Sequence, residues 1–219
     1  MLKQTKAASA ESTELLGDLH PLVEQLGSAQ GLVTLGTVSD TLNLARVDTH
    51  AALLRFLEAY QAQVLIPFEL PAIQRAFRHA SRNETRELVA LDQMIAREPM
   101  LVPFAGASRR VGRCQLKRLR PLRDQRLVQR YLKAVEDERA NGWHTLVYGL
   151  TLSLYSQPVL PGLVSYERQT LLGFIHAAAR PLRLSERDSH DLLEQLSPGL
   201  PDNMDFGCDD DEQAAKRDI

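Results

Sequence analysis

Two apolar helical patterns separated by prolines occupy residues 142–180, and they constrain the fold more than any other part of the chain. The first, residues 143–155, is apolar on nearly every side, which predicts a helix that other elements cover all round. The second, residues 163–179, has small and apolar residues at helical spacing: Val164, Leu171, Gly173, Ile175, Ala177 and Ala178. Pro158 and Pro161 separate the two patterns, because proline ends one helix and is accepted in the first turn of the next. We therefore expect a helical hairpin at the centre of the fold.

The composition favours packed helices over a strand-rich sandwich, since 44% of the 219 residues are hydrophobic and only 5% are aromatic. The chain length suits one domain. We predict an all-α, single-domain helical bundle of roughly eight to ten helices over residues 13–200. A disordered N-terminus (residues 1–12) is expected before it, and a polar, acidic tail (residues 201–219) after it.

Several helix boundaries follow from capping residues and prolines. Asp48 or Thr49 is suited to cap a helix that Pro67 ends, and a separate helix is expected after the next proline. Residues 81–84 have the spacing of a capping box, which predicts a new helix just after them. Ser185 or Asp188 is expected to open the last helix.

The two cysteines, Cys114 and Cys208, lie far apart and form no C-x-x-C pair. This argues against a disulfide framework and fits a reducing compartment. The N-terminal residues lack the apolar block of a signal peptide, and no stretch has the length of a membrane span. We expect a soluble, cytoplasmic protein with no membrane contact.

A basic stripe is the most specific charge feature of the chain, whose net charge is only -2. Between Ser108 and Lys133 there are ten basic residues and one acid, Asp124. The stripe consists of four residues on each of two predicted helices: Arg109, Arg113, Lys117 and Arg120, then Arg123, Arg126, Arg130 and Lys133. A partner-facing or solvated surface is the favoured interpretation. Binding of nucleic-acid phosphates is the alternative, although only one aromatic residue lies in the region.

Two pairs of small residues at a spacing of four, Ser108 with Gly112 and Gly173 with Ala177, allow helices to cross closely. Packing within the chain is the simpler interpretation, and a homodimer seam is the alternative.

No motif recommends catalysis or a resident metal. The six histidines lack the spacing of helical metal ligands, and the chain has neither a nucleophile elbow nor a phosphate-binding glycine loop. His144 and His176 could face each other across the hairpin, but a hydrogen-bonded histidine at a core boundary is more typical. Glu167 and Glu194 are expected in solvent. We expect no enzyme and no catalytic or metal-binding residue.

The hairpin sequence W-H-T-L-V-Y-G, followed by L-L-G-F-I-H-A-A-A-R-P-L, resembles the urease accessory protein F (UreF) family. Other matching positions lie in the middle of the chain and in the segment P-D-N-M-D-F. The matched residues are Asp92, Ser108, Arg109, Gly112, His144, Tyr148, Gly149, Gly173, Arg180, Met204, Asp205 and Phe206. The family's N-terminal run and its C-terminal signature are altered here, so the chain resembles a divergent member.

This resemblance implies an all-helical homodimer without catalysis of its own. Such proteins bridge a UreD/UreH-type accessory protein to the GTPase UreG while nickel is loaded into apo-urease. The chain would then bind no cofactor stably, nickel would be handled by the complex, and Met204 and Phe206 would anchor the tail on a partner. The basic stripe, including Arg113 and Lys117, would face the GTPase. A helical nucleic-acid-binding protein that uses residues 109–133, or a maturation factor for another metalloenzyme, remains the alternative.

Overall fold

The computed structural model describes residues 47–196, and all regular elements in that range are helical. In chain order they are α1 (His50–Tyr60), a π-helical segment (Gln61–Glu69), α2 (Leu70–Ser81), α3 (Thr85–Ile95), a 3-10 segment (Pro99–Phe104), α4 (Ala105–Arg118), α5 (Arg126–Glu136), α6 (His144–Leu154), α7 (Val159–Leu182) and α8 (Glu186–Leu196). The predicted all-α class is confirmed. The predicted disordered N-terminus, the tail, and the candidate residues Met204, Asp205 and Phe206 lie outside the described range.

Residues 50–81 form one continuous helical rod, so the prediction that Pro67 ends a helix is wrong. Pro67 lies inside the π-helical segment, where Leu70 N–H donates to the carbonyl oxygen of Leu65. Bonds from residue i to i+5 change the register, and this accommodates a proline that has no N–H to donate. Because this rod joins three elements and the 3-10 segment runs directly into α4, residues 47–196 contain seven separate helical bodies. The predicted eight to ten is slightly too high.

The predicted central hairpin is present as α6 and α7. Both α2 and α4 pack on α6, while α7 contacts α1, α2 and α8. All residues from His144 to Leu150 are buried, as the apolar pattern predicted. In α7, Pro161 lies in the first turn and Leu171 and Ile175 point inward. The exception is Val164, which was expected in the core but is 48% exposed.

Two glycines set how closely the helices approach α6. A Cβ at Gly149 would collide with the carbonyl oxygen of Ile73 and lie 2.9 Å from Ala76 Cβ, so α2 can pack this closely only on a glycine. A Cβ at Gly112 would collide with the carbonyl oxygen of Gly142 and lie 2.7 Å from the His144 nitrogen. The small residue in α4 therefore serves a crossing within the chain.

Two of the three predicted caps are confirmed. Thr49 Oγ1 accepts from Ala52 N–H at 3.1 Å at the start of α1. At the start of α8, Ser185 Oγ accepts from Asp188 N–H at 3.1 Å, and the Asp188 carboxylate accepts from Ser185 N–H at 2.9 Å. The helix predicted after residues 81–84 is present and begins at Thr85. The capping box itself is wrong, because Ser81 is the last residue of α2 and its hydroxyl donates to the Phe77 carbonyl oxygen at 2.9 Å.

None of the helices within residues 47–196 combines the length and the apolar character that crossing a bilayer requires.

Candidate functional site

Asp92 of α3 is a fully buried carboxylate that holds the loop before α6. Its Oδ1 accepts from the backbone N–H and the side-chain amide of Asn141, at 2.6 and 2.9 Å. Its Oδ2 accepts from the Tyr131 hydroxyl at 2.7 Å and from Gly142 N–H at 2.9 Å. Four donors therefore compensate the burial of one charge, and they join α3, α5 and the loop.

The first N–H group of α6, that of His144, finds its acceptor on another helix. Trp143, at the N-cap position, makes no side-chain cap. Instead, the Ser108 hydroxyl of α4 accepts from His144 N–H at 3.0 Å. This hydroxyl satisfies one of the backbone donors that a helix start leaves open, while Asp92 satisfies the N–H groups of Asn141 and Gly142 in the preceding loop. Ser108 is buried and used in this way, so it does not lie on a free surface for a dimer seam.

His144 lies inside the core, where burial lowers its pKa to about 3 and keeps the imidazole neutral. Its Nδ1 is 3.0 Å from Gln115 Oε1. Its ring centroid is 5.9 Å from that of Tyr166 and 6.2 Å from that of Tyr148. His176 is exposed on α7, so the two histidines do not face each other.

A second buried carboxylate, Glu69, lies at the end of the π-helical segment. The Tyr60 hydroxyl donates to it at 2.8 Å, and the Tyr166 hydroxyl of α7 is a further hydrogen-bond partner. Burial raises the pKa of Glu69 to about 7, while these two hydrogen bonds act in the opposite direction. The cluster ties the rod to α7 and contains a carboxyl group that changes protonation near neutral pH.

Glu167 is also buried, contrary to the expectation that it is solvated. Its carboxylate accepts from Gln61 Nε2 at 2.6 Å, and the same amide donates to the carbonyl oxygen of Leu196 at 3.3 Å. This small network connects the rod, α7 and the end of α8. Glu194 is exposed, as predicted, with Arg168 Nη2 at 3.7 Å.

Seven of the eight side chains in the basic stripe are exposed on α4, α5 and the turn between them. The exception is Arg109, whose guanidinium carbon lies 5.1 Å from the ring centroid of buried Trp143. Arg113 donates from Nε to the Asn141 carbonyl oxygen at 2.8 Å, and Arg120 forms an ion pair with Glu136. The α4 end of the stripe is thereby positioned against the same loop that Asp92 holds.

The rest of the stripe has charges that are not neutralised by acids in the described part of the chain. Five exposed cations take part in no ion pair among residues 47–196: Lys117, Arg123, Arg126, Arg130 and Lys133. The turn that carries Arg123 is fixed, because Gln129 Nε2 donates to the carbonyl oxygens of Arg120 and Leu122, both at 3.0 Å. The cations therefore project from a rigid support.

The remaining candidate residues are mostly structural. Tyr148 is buried, its hydroxyl donates to the Gly162 carbonyl oxygen at 2.8 Å, and burial raises its pKa. Gly149 and Gly173 are buried on α6 and α7, whereas Arg180 is exposed in the last turn of α7. The structure thus brings together Ser108, Arg109, Gly112, Arg113 and His144 around the start of α6.

No group of three or more histidine, cysteine, aspartate or glutamate side chains lies close enough to hold a metal ion within residues 47–196. A groove of about 580 Å³ lies between the ends of α2 and α6 and the start of α5. Its lining includes Ser81, Asn83, Ser153 and Gln157, and it contains neither buried carboxylate.

Sequence reasoning named Asp92 only by resemblance and missed Glu69. Asp92 could have been found, because it lies on the apolar face formed by Leu88, Leu91 and Ile95. An acid within an apolar stripe signals a buried, hydrogen-bonded charge. Glu69 gave no such signal. At helical spacing it lies about half a turn away from Tyr60, and only the π-helical register brings the two together.

Comparison with protein families finds a match to the UreF family over residues 47–197, more than half of the chain. This range includes the loop that Asp92 holds, the basic stripe and the hairpin, where the sequence motifs already resembled that family. A search of curated proteins finds no match.

Proposed function

The chain belongs to the UreF family of urease accessory proteins, and from this premise we propose that it is a non-catalytic scaffold. It joins a UreD/UreH-type accessory protein to the GTPase UreG while the assembly inserts nickel into apo-urease. The family match carries this proposal. The buried polar groups support it, since Asp92 and Ser108 accept from backbone N–H groups and His144 Nδ1 is hydrogen-bonded to Gln115 inside a packed core. Nickel is the cargo of the assembly.

The test is co-expression with UreD-type and UreG-type proteins from the same source, followed by affinity purification and size-exclusion chromatography with light scattering. The expected result is one complex of defined stoichiometry that contains all three proteins. A chain that elutes without either partner contradicts the scaffold role. The same light-scattering measurement tests the proposed homodimer, which has twice the 24.5 kDa mass of one chain.

The basic stripe is proposed as the surface that meets the GTPase. Its exposed cations attract an acidic partner at long range, so their main effect is on the association rate. Reversing Lys117 and Arg130 to Glu should slow association about tenfold or more at low salt and reduce its salt dependence. The control reverses two exposed cations on other helices, Arg75 and Arg187. If both double variants associate at the wild-type rate, the GTPase does not bind at the stripe.

The tail is proposed to order on the UreD-type partner through Met204, Asp205 and Phe206. A polar segment with a few apolar anchors is suited to folding on a partner. Deleting residues 201–219 should abolish co-purification with that protein, whereas deleting residues 1–12 should not. If the tail-deleted chain still co-purifies with the UreD-type protein as the wild type does, the tail does not bind that partner.

A second candidate rests on the same exposed cations, which would also suit nucleic-acid phosphates. It predicts tight binding to a duplex or single-stranded oligonucleotide that weakens steeply as salt rises.

The identity of the client enzyme is tested separately. Stable capture of a metalloenzyme other than urease, with no complex on urease, would assign the same scaffold to a different maturation pathway.

A further inference from the structure

Five exposed cations of the basic stripe form no ion pair within residues 47–196, and the sequence contains a segment of opposite charge outside that range. Residues 209–212 read Asp-Asp-Asp-Glu and form the longest acidic run of the protein. The next longest run, residues 136–138, has two of its three charges engaged locally, because Glu136 pairs with Arg120 and Asp137 with Arg139. Within residues 1–46 no two acidic residues are adjacent.

We propose that in the free protein the acidic run 209–212 binds to the basic stripe, so that the chain covers its own docking surface. The contact itself does not require any partner. Its consequence for assembly rests on the proposed function, since the stripe is the surface that we assign to the GTPase.

The acidic run can reach the stripe from the end of α8. The last described residue is Leu196, whose carbonyl oxygen is held by Gln61 at 3.3 Å. The thirteen residues from there to Asp209 span up to about 45 Å when extended. A compact domain of 150 residues has a radius of gyration of about 15 Å. Gln61 lies about 30 Å or less from Ser81 along the helical rod. Ser81 lines the same groove as Gln125, the neighbour of Arg126, so the extended chain is long enough to reach the stripe.

A tethered contact of this kind need not be strong to be occupied. Exposed ion pairs are individually weak in water, but a short tether gives an effective concentration in the millimolar range. A contact with a dissociation constant of about 1 mM would then be populated roughly half of the time. Because the contact consists of exposed charges, salt should weaken it strongly.

The two cysteines of the chain report on this contact directly. Cys114 is exposed on α4 between Arg113 and Lys117. Cys208 immediately precedes the acidic run. Binding of the run to the stripe brings the two thiols into the same region, and a short thiol-specific cross-linker can join them without any engineered label.

The experiment treats the reduced full-length chain, without partners, with a short bifunctional maleimide and measures the intrachain Cys114–Cys208 product by mass spectrometry. At low salt we expect a yield at least fivefold above that of a control, and a fall to the control level at about 0.5 M salt. The control, Cys114→Ser with His176→Cys, moves the thiol to an exposed position on α7. Neutralising the run with Asp209→Asn, Asp210→Asn, Asp211→Asn and Glu212→Gln should also reduce the yield to the control level.

Equal yields at positions 114 and 176, with no response to salt or to neutralisation of the run, overturn the proposal. Products only between two chains overturn it as well, since they would place the run on another copy. Because no GTPase is present, failure of this contact and failure of the scaffold role are seen in different experiments. If the contact holds, a UreD-type protein that captures Met204 and Phe206 would draw the acidic run from the stripe, and the GTPase would bind second.

Discussion

Asp92 shows at the scale of one residue how this core tolerates a charge. The carboxylate has no exposed surface, and its four hydrogen bonds come from side chains and backbone that lie 39 to 50 residues away. A buried charge is stable only with such compensation. Asp92 therefore fixes the position of the loop that leads into α6.

Replacing Asp92 with Asn should cost about 2–4 kcal/mol of the free energy of unfolding. Asparagine keeps one acceptor oxygen but turns an amide group toward donors, which leaves buried N–H or O–H groups without an acceptor. The loss is measured by urea unfolding, as a lower midpoint with an unchanged m-value. The control is Gln93→Ala on the same helix, which removes one exposed bond, from Nε2 to the Arg139 carbonyl oxygen. A loss no larger than that of the control would show that the four bonds contribute little.

At the scale of helices, close crossings on glycine position the scaffold around α6. Gly112 brings α4 against the backbone of residues 142–144. Gly106 lies in the first turn of the same helix, and a Cβ at that position would meet no atom within 4 Å. The two glycines share one helix but differ completely in packing.

Gly112→Ala should therefore destabilise the protein by about 2 kcal/mol or more, because its Cβ would collide with backbone that cannot rotate away. Gly106→Ala should be neutral or stabilising by up to about 1 kcal/mol, since alanine favours the helix. Thermal or urea unfolding of the two variants gives the comparison. Equal effects would mean that α4 shifts without cost and that the crossing is not fixed by Gly112.

The two S-x-x-[D/E] segments of the chain make a second matched pair. Ser185→Ala removes the hydroxyl that accepts from Asp188 N–H and should cost about 1 kcal/mol. Ser81→Ala removes only exposed hydrogen bonds, to the Phe77 carbonyl oxygen and the Ser153 hydroxyl, and should cost less than about 0.5 kcal/mol. Unfolding midpoints measure both, and a reversed order would contradict the assigned caps.

These elements also show what the sequence can predict. The hairpin and the cap at Ser185 follow from local patterns, and the structure agrees. Ser81 has the same local pattern as Ser185. It does not cap a helix, because α2 extends through Ser81 and the chain changes direction only at Asn83, which has a positive φ of 57°. The register of the π-helical segment, and with it Glu69, depends on packing against α7, which no local pattern contains. The basic stripe could be predicted, because helical periodicity alone places charged residues on one exposed face of a helix.

At the scale of the whole molecule, two buried groups give the stability opposite dependences on pH. Glu69 has a pKa raised from 4.5 to about 7, so between these values the folded state holds a proton that the unfolded state has lost. Stability from this group therefore falls as pH rises from about 4.5 to 7. His144 has a pKa lowered from 6.5 to about 3, so its contribution falls as pH decreases through that range.

Glu69→Gln removes the pH dependence that Glu69 contributes to the stability and leaves the one that His144 contributes. Relative to the wild type, the variant should gain stability as pH rises from about 4.5 to 7, by at most about 3 kcal/mol, and the difference should stay level above pH 7. Its own stability should rise between about pH 4.5 and 6.5 because of His144. Urea unfolding across this range measures the difference, with Glu194→Gln as an exposed control. A difference that does not change with pH would show that Glu69 titrates normally in the folded protein.

The helical rod of residues 50–81 is about 45 Å long, and it connects Gln61, near the end of α8, with Phe77, near the groove beside α5. Pro67 and the π-helical register around it lie between these two residues, and both are features at which helices commonly bend. A partner that displaces α8 would therefore bend the rod at Pro67 before the displacement reaches the groove.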